Sequence, residues 1–143
     1  MISEGELKVG EPDSRVEELY QRQLDEVGSV RTKCEATGFP ASVDVLCCAV
    51  YVGWVKPSRL VDAIGSNPSM PEQLRHMTQE DMRAHFEALT RQGVMVRSGD
   101  WYHPTEGVSA VVESNLHVLK SGILSVYDLQ SLSSCMGSPD HTL

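Results

Sequence analysis

Residues 78–107 read TQEDMRAHFEALTRQGVMVRSGDWYHPTEG, and the order of their signals decides the fold. Thr78 opens the stretch, with Asp81 at capping-box distance, the weaker variant of Glu there. Met82, Phe86 and Leu89 recur at helical spacing, with the small Ala88 beside them, which predicts one buried stripe. Gly93 ends that helix, since glycine accepts the left-handed backbone of a helix exit. Val94–Arg97 and Trp101–His103 then read as two short strands. Ser98-Gly99-Asp100 joins them, and Gly99 can supply the positive φ of a tight turn. Pro104 stops the ladder and Thr105 caps a new helix. The stretch therefore reads helix, hairpin, helix, with Val94 and Val96 expected on the buried face of the hairpin.

Upstream, Ser42 is placed to cap a helix with Asp44 in its first turn. Val43–Val55 is apolar almost all round, so that segment should be central. Its valines also permit a strand, and length and caps favour the helix. Pro57 suits a first helical position. Leu60, Val61 and Ile64 share a face before Gly65. Residues 66–77 carry two prolines and read as a loop with room for one helical turn. Further upstream, Ser14 and Glu17 have capping-box spacing. Val16, Leu19, Tyr20, Leu24, Val27, Val30 and Cys34 then form one stripe, stopped by Gly38 and Pro40. Residues 1–12 read as a flexible arm.

Downstream, Val108, Val111, Val112, Leu116 and Leu119 make the stripe of a last long helix, broken at Gly122. Ile123–Leu132 can form another helix, and 133–143 read as a flexible tail. The predicted class is mainly α with a small β-hairpin (α+β). One domain spans 13–132: an N-terminal helix over 14–36, a core over 42–107 and a helical region over 106–132.

Composition narrows what such a domain does. Of 143 residues, 41% are hydrophobic and 22% charged, ordinary values for a globular chain. The net charge of −8 is uneven. Residues 1–44 carry −5 and 105–143 carry −3, while 45–104 hold six acids and six bases. A neutral centre exerts no strong nonspecific pull on phosphates. Val43–Val55 is too short for a membrane span, which needs roughly 20 residues. The first residues lack the pattern of a secretory signal, so the expected compartment is the cytoplasm. The four cysteines, Cys34, Cys47, Cys48 and Cys135, show no finger-like spacing, so no metal is expected. No phosphate loop, dinucleotide fingerprint, HExxH or GxSxG occurs, and the five histidines are scattered. The chain does not read as an enzyme, and no cofactor is expected.

Leu89, Gly93, Val94, Gly99, Tyr102, Thr105, Glu106 and Gly107 together resemble a winged-helix signature. In MarR- and PadR-like transcriptional regulators a recognition helix ends in leucine, glycine and two apolar residues. A hairpin wing and a "threonine, glutamate, glycine" opening follow. The resemblance covers 42–107. It implies a winged helix-turn-helix fold with flanking helices that dimerise. This chain departs from that pattern in its long 65–78 connection and in a wing whose single arginine is Arg97.

The resemblance implies two functions. One is sequence-specific binding of double-stranded DNA by a homodimer that regulates transcription. The helix after Thr78 then enters the major groove. Gln79 and Arg83 face base edges, Arg59 and Arg97 reach phosphates, and Gly99 brings the wing close to the backbone. The other is a non-catalytic protein-interaction module or effector that docks on a protein complex, motivated by the acidic flanks and the neutral recognition helix, on which Glu80, Asp81 and Glu87 repel phosphate. The candidate dimer interface is Val16, Leu19, Leu24, Val27, Val112, Leu116 and Leu119. The alternative for that stripe is packing onto the chain's own core.

Overall fold

The computed structural model describes residues 2–135, with side chains described over 15–133. Its helices are α1 (Ile2–Glu35), α2 (Ser42–Val52), α3 (Pro57–Gly65), α4 (Glu72–Arg75) and α5 (Gln79–Arg91). A hairpin of β1 (Met95–Ser98) and β2 (Trp101–Pro104) follows. The chain then forms α6 (Glu106–Ser114), α7 (Leu116–Leu119), α8 (Val126–Ser131) and a 3-10 turn, Leu132–Cys135. The protein is mainly helical with one two-stranded antiparallel sheet.

The central element is α2. Val45, Leu46, Cys47, Cys48 and Ala49 are all fully buried. A helix apolar on every side must be surrounded, and here α1, α5, α6, α7, α8 and β2 all touch it. Ser42 does not cap it. The N-cap position is Ala41, and the buried Ser42 hydroxyl instead donates to the Cys34 carbonyl at 2.8 Å, tying α2 to the end of α1. Asp44, also buried, accepts from the Ser121 backbone N–H at 2.8 Å. Gly53, at φ +88°, turns the chain out of the helix.

The α3–α5 unit follows the sequence signals closely. Pro57 occupies the first turn of α3, and Leu60 and Ile64 bury its inner face. The 66–77 connection contains the short α4. At the start of α5 both capping-box bonds form, Asp81 N–H to Thr78 Oγ1 and Thr78 N–H to Asp81 Oδ2, each 3.0 Å. Met82, Phe86 and Leu89 are fully buried. Gly93 leaves the helix at φ +77°.

The hairpin pairs Met95 with Pro104 through to Ser98 with Trp101, so Pro104 lies inside the ladder rather than beyond it. Val94 is buried, but Val96 is exposed: within β1 the buried residue is Met95, and Val96 points the other way. The strand begins at Met95, and Val94 just before it is buried together with Met95, so burial does not alternate through Val94 and Val96 as predicted. Val55 adds two backbone hydrogen bonds to Tyr102, both 2.9 Å, and anchors the hairpin to the segment before α3. Phe86 meets the Tyr102 ring edge-on at 5.2 Å.

The flanks depart more from expectation. The helix α1 starts at Ile2, so the predicted arm over 1–12 is helical from Ile2 and Ser14 is an interior position. Extending an existing helix needs no new nucleus, and Glu4, Glu6 and Lys8 are good helix formers. Downstream, Thr105 Oγ1 accepts from Val108 N–H at 3.3 Å and starts α6. The long helix predicted there is cut at Asn115, whose side chain donates to the Val111 carbonyl at 2.8 Å. Ser125 caps α8 by accepting from Asp128 N–H at 3.1 Å. Of the predicted tail, 133–135 complete the 3-10 turn and 136–143 lie outside the described residues. Among the described residues no helix is long and apolar enough to cross a membrane.

Candidate functional site

The polar side chains of α5 fall in a line. Gln79, Arg83, Glu87 and Arg91 are four residues apart, and that spacing keeps them on one side of the helix. The hairpin stands beside this line. Arg97 on β1 is held twice: its Nε donates to the Gly99 carbonyl at 2.7 Å, and its guanidinium lies 5.6 Å from the Tyr102 ring centroid. Gly99 turns the hairpin tip at φ +60°, where a side chain would be strained.

Between α5, the hairpin and the start of α3 lies a groove of about 230 Å³, lined by Lys56, Pro57, Ser58, Arg83, Glu87, Arg97, Asp100 and Tyr102. Three cations from three separate elements converge there with two carboxylates. A second groove of about 310 Å³ continues along α5 and shares Glu87, Arg97 and Tyr102 with the first, adding Thr90 and Arg91.

Two of the five residues expected at a nucleic-acid surface, Arg83 and Arg97, therefore share one groove. Gln79 is exposed on the first turn of α5 but is not part of its lining. Arg59 is exposed on α3, its guanidinium 5.5 Å from the Trp101 ring centroid. Lys56 lies over the same ring at 5.2 Å and also lines the groove, so it links the two positions. Beneath these cations Trp101 is buried, and its indole N–H has no hydrogen-bond partner, a costly arrangement. Sequence reasoning missed Lys56, Ser58 and Asp100. Pro57 marks where α3 starts, but only the return of the chain through Val55 and Tyr102 brings that start beside the hairpin.

The expected self-association face divides. Val27, Val112, Leu116 and Leu119 are buried within the single chain, where α1, α6 and α7 pack on α2, so they are core residues and not interface. Val16, Leu19 and Leu24 are exposed, as is Tyr20. Leu19 also edges a groove of about 460 Å³ between α1 and α6.

The titratable groups sort by surroundings. Hydrogen bonds from the Thr78 backbone and hydroxyl hold the Asp81 carboxyl below its ordinary value. Burial raises the Tyr102 phenol, against the opposing pull of Arg97. Burial pushes the Cys34 thiol to about 11 and the Cys47 thiol to about 12, so both are protonated and unreactive at neutral pH. His85 is buried, stacked on Phe39 at 4.2 Å with its Nδ1 2.7 Å from the Asp81 carbonyl. That ring fills a packing role. No protein-family model matches the chain, and no curated protein or solved structure is significantly similar to it.

Proposed function

We propose that this chain is a winged helix-turn-helix protein that binds double-stranded DNA as a homodimer and regulates transcription. The observation that carries the reading is the groove in which Arg83 of α5 and Arg97 of the hairpin meet. In such a protein α5 enters the major groove, with Gln79 and Arg83 nearest its N-terminus and so nearest the base edges. Gln can read adenine and Arg can read guanine. Arg97 and the exposed Gly99 tip follow the adjacent backbone, and Lys56 and Arg59 contact phosphate at the start of α3. The dimer forms through the part of the α1 stripe that its own domain leaves open: Val16, Leu19, Tyr20 and Leu24.

A shift assay with random and selected duplexes tests this. The expected result is retention of selected DNA that weakens as salt rises. Arg83→Gln should cost about 1–3 kcal/mol and relax sequence preference, whereas Arg97→Gln should weaken all duplexes alike. Light scattering of the same samples should give twice the chain mass. No retention at low salt overturns the DNA reading, and a monomer at high concentration removes the dimer.

One observation favours a second reading, a module that docks on a protein. Glu80 and Asp81 are exposed beside Gln79, at the end of α5 that DNA would meet. Carboxylates there repel phosphate but suit a basic protein surface. Absence of DNA retention, with Glu80→Lys creating it, would support this second reading.

A further inference from the structure

The groove at the α5–hairpin junction has a property that DNA does not use. Its lining is amphoteric: Lys56, Arg83 and Arg97 supply three positive charges, and Glu87 and Asp100 supply two negative ones. A molecule in the groove displaces water from the faces of these groups that it touches. Each group then needs a new partner or pays for its lost hydration. A simple anion pairs the cations and leaves two carboxylates facing it. A simple cation meets the reverse problem. An apolar ligand satisfies neither set. A molecule with two acidic groups, one ammonium and a net charge of −1 offers partners of both signs and balances the lining's net charge of +1.

Size agrees with charge. A groove of about 230 Å³ has room for a small amino dicarboxylate. Two of its cations are also held in place by the chain. Arg97 is fixed by Gly99 and Tyr102, and Lys56 lies against Trp101, so two of the three cations lose little freedom on binding.

We propose that this groove binds a small amino dicarboxylate of the aspartate or glutamate type, with its carboxylates on Lys56, Arg83 and Arg97 and its ammonium between Glu87 and Asp100. The ligand site stands independently of DNA. Its consequence for regulation rests on the DNA reading: Arg83 and Arg97 cannot serve both, so the ligand competes with DNA.

The test is titration of the full chain with L-aspartate, L-glutamate and succinate, followed by calorimetry and by amide chemical shifts. Saturable binding of an amino dicarboxylate is expected, with shifts confined to α5, the hairpin and the start of α3. Succinate, which lacks the ammonium, should bind about tenfold more weakly, the loss of one charge partner. Arg83→Gln should abolish measurable binding. Glu87→Gln should retain the fold and bring the aspartate and succinate affinities together, a change that mere destabilisation would not produce. No saturable binding, shifts elsewhere, or equal affinity for aspartate and succinate in the unaltered chain overturns the proposal. Binding of aspartate without any DNA retention keeps this site and removes the DNA reading. DNA retention without aspartate binding does the opposite.

Discussion

Two helices of this chain carry apolar stripes of the same period, and they meet different fates. On α5, Met82, Phe86 and Leu89 are all fully buried. On α1, Val27, Val30 and Cys34 are buried in the same way, but the stripe continues outward through Val16, Leu19 and Tyr20, which are 62%, 55% and 61% exposed. Periodicity tells which side of a helix is apolar. It does not tell whether anything covers that side. The α5 stripe is covered because both ends of the helix are fixed, by the Thr78–Asp81 box and by Gly93, against a hairpin that closes over it. The outer half of α1 has no such closure within the described chain.

The sharpest way to break that contrast is a pair of truncations. Phe86→Ala removes a fully buried ring that packs on Tyr102, and should cost about 3–5 kcal/mol of unfolding free energy. Leu19→Ala removes an exposed side chain, and in dilute monomer should stay within about 0.5 kcal/mol. Equal losses in urea denaturation would mean that the outer stripe is part of the core after all. A smaller effect sharpens the account of why α5 is where it is. Thr78→Ala removes the acceptor for Asp81 N–H and should cost about 1 kcal/mol, with unfolding still cooperative. A variant as stable as the original would show that packing alone positions the helix.

These contrasts explain what was legible in the sequence. The Thr78 box, Pro57, Gly93, Gly99 and Thr105 each act within a few residues, so their structural roles can be read from neighbours in the chain. The candidate site was legible only in part for the same reason. Arg83 and Arg97 lie on elements with strong local signals, and both reach the groove. Lys56 and Asp100 join them only because Val55 pairs with Tyr102, a contact across 47 positions that no local signal encodes. The dimer stripe failed where it did because burial of Val112, Leu116 and Leu119 depends on α2, α6 and α7 arriving together. Ser42 failed as a cap because a tertiary acceptor, the Cys34 carbonyl, took its hydroxyl.

Two buried carboxylates extend the comparison to electrostatics, with the smallest expected effects. Burial raises the Asp44 pKa, despite the Ser121 N–H and Lys120. The Ser69 hydroxyl lowers that of Asp128, against an opposing burial effect and with further help from Ser125 and Asn67. Their signs therefore differ. A carboxyl with a raised folded pKa binds its proton more tightly in the folded chain, so its contribution to stability grows as pH falls through that range and is lost above it. A carboxyl with a lowered pKa contributes above the ordinary value of about 4 and loses that contribution as pH falls through its folded pKa. Asp44→Asn keeps an oxygen for Ser121 and removes a buried charge, so it should stabilise the chain at pH 7, with the gain shrinking toward pH 4. Asp128→Asn should destabilise it at pH 7, with the loss shrinking in acid. Urea midpoints for both variants at the two pH values decide the matter. Slopes of the same sign would mean that Asp128 on α8 and Asp44 at the start of α2 are not held by opposite effects.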